Sequence, residues 1–124
     1  MNEAIKSKAL LNGARDQSCV CCGVMDGTVV ACHYQGMRSN HYGKGVGRKP
    51  EDIFVADLCS KCHKSFDNYE VSDAESRTFR RIDHSEQFQH YILVTIKRRI
   101  QQGLIQIKKF CHNTLWFWLF PKQS

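Results

Sequence analysis

The sequence predicts a small α+β domain. Two Cys-x-x-Cys pairs, Cys19/Cys22 and Cys59/Cys62, bracket two short β-branched segments, and an apolar repeat with helical spacing follows them. At 124 residues the chain is long enough for one domain of ordinary size, and no shift in composition divides it into two separately folded halves. The last residues differ in kind, so the domain is expected over 1–107 and a tail over 108–124.

The first sixteen residues carry scattered charges and no apolar core of signal-peptide length, and the chain is expected to be cytoplasmic. Residues 28–34, Thr-Val-Val-Ala-Cys-His-Tyr, and 53–58, Ile-Phe-Val-Ala-Asp-Leu, read as the strands of one small hairpin. The stretch between them carries Gly36, Gly43, Gly45, Gly47 and Pro50, too many chain-breakers for a regular element. Ser60 can cap a helix running through Cys62, His63 and Phe66 towards Tyr69. Ser72-x-x-Glu75 reads as a capping box that opens a short helix over 75–82. After Ser85, Phe88, Ile92, Ile96 and Ile100 recur at four-residue spacing and Gly103 follows, which predicts an amphipathic helix over 86–102 closing the core. In the tail, Leu115, Trp116, Phe117, Trp118, Leu119 and Phe120 form an apolar cluster with neither helical nor strand alternation, a surface for association or an addition to the core. It falls far below the roughly 20 residues that cross a bilayer, so no membrane span is expected.

The formal net charge is +6 and the pI about 9.0, which favours an acidic partner such as nucleic acid. Nine of the 12 carboxylates fall between Glu51 and Glu86, leaving two stretches purely basic. One carries Arg38, Lys44, Arg48 and Lys49; the other carries Lys97, Arg98, Arg99, Lys108 and Lys109. Each can meet phosphates or form an ordinary solvated face.

Seven cysteines in a reducing compartment are metal ligands or free thiols rather than a disulfide framework, and the odd count agrees. A Cys-x-x-Cys turn puts two thiolates on one side of an ion, and two such turns complete the tetrahedral shell that zinc prefers. Cys19, Cys22, Cys59 and Cys62 are therefore expected to hold a structural Zn²⁺. Cys21 sits within the first turn and can replace either neighbour; Cys111 lies outside any ligand spacing and reads as a free thiol.

A zinc knuckle, a hairpin and a helix carrying the second cysteine pair make up the treble-clef arrangement. His33 ends its first strand, while His63 and Asp67 share one face of its helix. An imidazole opposite a His/carboxylate pair on such a scaffold resembles the active site of HNH (ββα-metal) endonucleases, and the chain is similar to the small YbcO-like nucleases of prophages. The resemblance rests on Cys22 lying eleven residues before His33, on the Gly-rich loop leading into Lys49-Pro50-Glu51-Asp52-Ile53, and on the string Cys59-Ser60-Lys61-Cys62-His63-Lys64-Ser65-Phe66-Asp67. It covers roughly residues 15–107 and implies a metal-dependent endonuclease that hydrolyses DNA phosphodiesters, of phage or prophage type. By that resemblance His33 is the general base, Asp52 falls at the position that braces it, and His63 with Asp67 hold a catalytic divalent metal, Mg²⁺, Mn²⁺ or Zn²⁺. At residue 32, where many HNH enzymes carry a further metal-binding histidine, this chain has Cys32, whose thiol is a poor ligand for hard Mg²⁺ and a good one for Zn²⁺.

The same residues have plainer uses. His33 can be a satisfied structural group, His63 can donate to a zinc thiolate, and Asp67 can be an exposed carboxylate; His41 can stand in as a metal ligand, although an ordinary loop histidine is the stronger reading. The loop Gly43 to Lys49 lacks the Gly-Lys-Ser/Thr of a P-loop and leads into a strand, which excludes nucleotide hydrolysis. Its glycines, with Lys44, Arg48 and Lys49 and the preceding Arg38, suit contact with a DNA backbone, which positions a protein without reading sequence. The alternative function is a non-catalytic treble-clef module that binds DNA or a protein partner on the same zinc scaffold, and Cys32 is the residue that favours it.

Overall fold

The two β-branched segments pair antiparallel, over shorter spans than their composition allows. In the computed structural model, which describes residues 3–67 and 74–107, β1 covers Val30–His33 and β2 covers Val55–Leu58, with Val30 opposite Leu58 and His33 opposite Val55. The expected tail over 108–124, with Cys111, lies outside the described residues. Thr28 leaves the strand because Asp26 captures it: the Asp26 carboxylate accepts both the Thr28 N–H at 2.9 Å and its hydroxyl at 2.6 Å, an Asx-turn.

A short helix, α1 (Lys8–Asn12), precedes the strands and was not expected from the scattered charges around it. Ser7 caps it, accepting the Leu10 N–H at 3.2 Å. After β2, α2 spans Ser60–Asp67. Ser60 is its first residue rather than its cap. The Ser60 N–H is accepted by the Thr28 hydroxyl at 3.0 Å and the Cys62 N–H by the Cys59 sulfur at 3.5 Å, so a side chain from the knuckle and a cysteine cap this helix.

The two C-terminal helices expected from the sequence are one, α3 (Ala74–Gln101), of 28 residues. Ser85 does not start a helix; buried midway along α3, its hydroxyl accepts the Met37 N–H at 2.8 Å. The apolar repeat also drifts. A four-residue step advances about 400° around a helix of 3.6 residues per turn, so a stripe at that spacing rotates about 40° with each step. Phe88 and Ile92 face the core, but by the last turns the buried positions are Thr95 and Arg99, which are polar.

All four residues of β2 are buried, under α3 on one side. The core gathers Tyr34, Leu58, Phe88 and Ile92, with Tyr34 meeting Phe88 and Tyr42 edge-on at centroid distances of 5.5 and 5.1 Å. Beside it lies an ion pair. Asp57, fully buried on β2, accepts from both terminal nitrogens of Arg99, one at 3.0 Å, and from Arg98 at 3.3 Å. Arg99 also donates to the Leu10 carbonyl at 2.8 Å, tying α1 to α3. Gly13 is what lets it pass, since a Cβ there would sit 2.7 Å from the Arg99 Nε. Among the described residues no helix is long and apolar enough to cross a membrane.

Candidate active site and metal centre

The first Cys-x-x-Cys folds as a tight turn. The Cys19 N–H reaches the Val24 carbonyl at 2.8 Å, the Gly23 N–H returns to the Cys19 carbonyl at 2.9 Å, and Gly23 supplies the positive φ of 81° that this reversal needs. Packed on the start of α2, the turn brings the sulfurs of Cys19, Cys22, Cys59 and Cys62 within 4.8 Å of one another, and Cys22 and Cys59 are 3.7 Å apart. A tetrahedron of Zn–S bonds of about 2.3 Å has edges of about 3.8 Å, so the donor set and spacing fit a zinc-sized ion, and the cluster can hold one. Cys21 is exposed and is not one of the four.

The electrostatics of the four thiols also favour a cation. Burial raises the Cys19 thiol, but backbone hydrogen bonds at Cys22, Cys59 and Cys21 outweigh it and bring the group down to about 7. Burial, and then the crowding of Cys21 and the other cysteines, push Cys62 upward. Several thiolates this close cannot coexist without positive charge among them.

The hairpin and α2 frame a cleft of about 250 Å³ whose lining includes His33, His63, Lys44, Arg48, Lys49 and Pro50. No carboxylate is among the described residues that line it. His33, at the end of β1, is fixed from behind: its Nε2 lies 2.8 Å from Asp52 Oδ1, and the other Asp52 oxygen accepts the Ser7 N–H at 2.7 Å. Burial works to raise the Asp52 carboxyl, but the bonds from His33 and the Ser7 amide, with the charges of His33 and Lys6, outweigh it and hold the group below the usual carboxylate range. Because the ionised carboxylate is an acceptor only, Nε2 is the nitrogen that carries the proton, so in the neutral ring the lone pair is on Nδ1.

His63 and Asp67 are neighbours one turn apart on α2, with Nε2 and Oδ2 separated by 3.4 Å and both side chains more than a third exposed. They offer one nitrogen and two oxygen donors on one side of a helix, a set that suits a divalent ion. Cys32 belongs to the core at 3% exposure. Burial first, then the charge of Asp67, push its thiol up to about 12, so it is neutral near pH 7.

Five of the expected site residues, His33, His63, Lys44, Arg48 and Lys49, thus meet at one cleft, and Asp52 stands behind His33, whereas Asp67, one turn from His63, does not line it. Arg38 is exposed and does not line it. Of the second basic stretch, Arg98 and Arg99 turn inward: Arg99 is 2% exposed on Asp57, and Arg98 donates to the Ser18 carbonyl at 2.5 Å and its hydroxyl at 2.9 Å. Neither is available to a phosphate. Comparison with known proteins adds nothing to this geometry, since no family model, curated protein or solved structure matches the chain.

Proposed function

We propose that this chain is a metal-dependent endonuclease of the HNH type, built on a treble-clef domain over 1–107 and acting on DNA phosphodiesters. The single observation that carries the reading is the His33–Asp52 pair, 2.8 Å apart, at the wall of a cleft that also holds His63 and three cations and no described carboxylate. In this reading His33 accepts a proton from the attacking water on Nδ1, and Asp52 holds the ring by its Nε2 proton and stabilises the imidazolium that forms. Lys44, Arg48 and Lys49 bind the phosphates flanking the scissile bond and set the register of the strand without selecting a sequence. Cys19, Cys22, Cys59 and Cys62 hold a structural zinc that fixes α2 against the hairpin. His63 and Asp67 would hold a catalytic divalent ion, which supplies charge stabilisation at the phosphate when bound.

Supercoiled plasmid incubated with the protein, with and without Mg²⁺, Mn²⁺ or Zn²⁺, tests this. The expected result is nicking or linearisation by the parent and loss of about 10²–10⁴ in rate for His33→Ala with DNA binding retained. Equal cutting by both proteins would remove His33 from the chemistry. The non-catalytic DNA-binding module is the second reading, and the neutral, buried Cys32 favours it, because it leaves α2 with only two side chains for a second ion. Binding of DNA with no cutting under any of the three metals would select it.

A further inference from the structure

Ser7 is the N-cap of α1, and a cap residue has two needs: its side chain must accept from the helix, and its own N–H must find an acceptor outside it. The first is met by the Leu10 N–H at 3.2 Å. In a capping box the second is met by a Glu or Gln three residues on, which reaches back to the cap. Here that residue is Leu10, which has no acceptor in its side chain. The acceptor comes from 45 positions away instead: Asp52 Oδ2, at 2.7 Å. Two further bonds lay the segment against residues 51–52, with the Asp52 N–H donating to the Ile5 carbonyl at 2.9 Å and the Ile5 N–H to Glu51 Oε1 at 2.7 Å.

The other oxygen of that carboxylate is the one on His33. The terminal torsion of an aspartate is soft, so a carboxylate held by one oxygen alone can swing and let the imidazole turn with it. With both oxygens fastened, its plane is set.

We propose that Ser7 is a positioning residue of the His33 site: its backbone N–H holds the Asp52 carboxylate, and through it keeps His33 in the tautomer protonated on Nε2. The catalytic consequence rests on the endonuclease reading; the tautomer does not. The charged groups around the Asp52 carboxylate are His33 from β1, Lys6 from the N-terminal segment and the adjacent Glu51, whose carboxylate is engaged by Ile5. Removing the Ser7 donor raises the Asp52 pKa and frees the carboxylate to turn, so the tautomer of His33 is the property that responds.

Native chemical ligation at Cys19 gives the full chain with a single ester in place of the Lys6–Ser7 amide, which deletes that N–H and leaves the Ser7 side chain on α1. An all-amide ligated chain is the control. The readouts are the ¹⁵N shifts of the His33 ring, zinc content, DNA affinity and the pH profile of plasmid cutting. The ester chain is expected to keep zinc and DNA affinity, to show His33 exchanging between tautomers, and to cut about 10–100-fold more slowly, the loss typical when a partner that orients a reactive histidine is removed. Glu51→Ala, which removes the acceptor of the Ile5 N–H and loosens the segment that presents the Ser7 N–H, is expected to release the tautomer in the same way and serves if the ester chain fails to fold. An unchanged tautomer in these variants overturns the proposal. A tautomer that responds while the control cuts no DNA upholds the positioning role and sinks the endonuclease reading alone.

Discussion

Replacing Arg99 by leucine should unfold this domain far more readily than its place in a basic run suggests. Arg99 is 2% exposed and Asp57 is fully buried, and the pair is bidentate, with a further Arg99 bond to the Leu10 carbonyl. Leucine restores most of the apolar volume but leaves a buried carboxylate with only the longer 3.3 Å bond from Arg98. Breaking a buried ion pair from one side costs about 3–5 kcal/mol, most of it the uncompensated charge left behind. At about 4 °C per kcal/mol, the value between small and larger domains, the midpoint should fall by roughly 12–20 °C. Arg98→Leu is the control, since it spares the bidentate pair and its side chain is 20% exposed; about 1.5 kcal/mol is expected. Thermal unfolding by circular dichroism on zinc-loaded protein reads both. An Arg99→Leu midpoint within a few degrees of the parent would refute the burial argument, and the same result with weakened DNA binding would mean that the guanidinium faces solvent.

Three further outcomes follow from the site. Natively purified protein should carry one zinc per chain by elemental analysis; Cys59→Ala should be unfolded or aggregated because a four-thiolate site supplies about 10–16 kcal/mol in zinc-finger peptides, while Cys21→Ala should keep its metal. Arg48→Ala and Lys49→Ala should each weaken DNA binding and lower the salt-dependence slope by about 1, measured by fluorescence anisotropy across ionic strength, whereas an unchanged slope would remove that cation from the interface. The Asp52 carboxyl is held below its ordinary value in the folded chain, so the stability it contributes is present above about pH 4 and is lost as pH falls through its lower folded value. Asp52→Asn should therefore be less stable than the parent at neutral pH, with the gap in midpoint closing on acidification; a gap that stays constant to low pH would argue against an ionised Asp52 on His33.

The cysteine cluster is legible in the sequence because its rule is local: a Cys-x-x-Cys turn has one useful geometry, and two of them define a site wherever the chain brings them together. The strands are legible for a similar reason, since two short β-branched runs on either side of a glycine-rich stretch have few other uses. What escapes is settled by partners far along the chain. Ser85 has the composition of a helix start, but its hydroxyl serves Met37, 48 positions away, so the expected break vanishes. Ser60 looks like a cap until Thr28, 32 positions back, takes its N–H. Arg98 and Arg99 read as surface cations because nothing near them announces that Asp57 lies beneath. The segment before α1 offers no periodicity at all, and its role at Asp52 is carried by main-chain atoms that no residue type reveals.

The Asp57–Arg99 bond also sets a timetable for synthesis. The two residues are 42 positions apart, and at about 5–20 residues per second the ribosome takes roughly 2–8 s to add the second after the first. Until then β2 carries a carboxylate that cannot be buried, and α1 has no side chain from α3 to hold it. Cys62 is made well before Arg99, so all four sulfurs are available to an ion while the hairpin is still open on its α3 side. The nascent chain would then be held by metal first and closed by charge last, and a cell short of zinc would leave the knuckle and α2 without their tie for the whole of that interval.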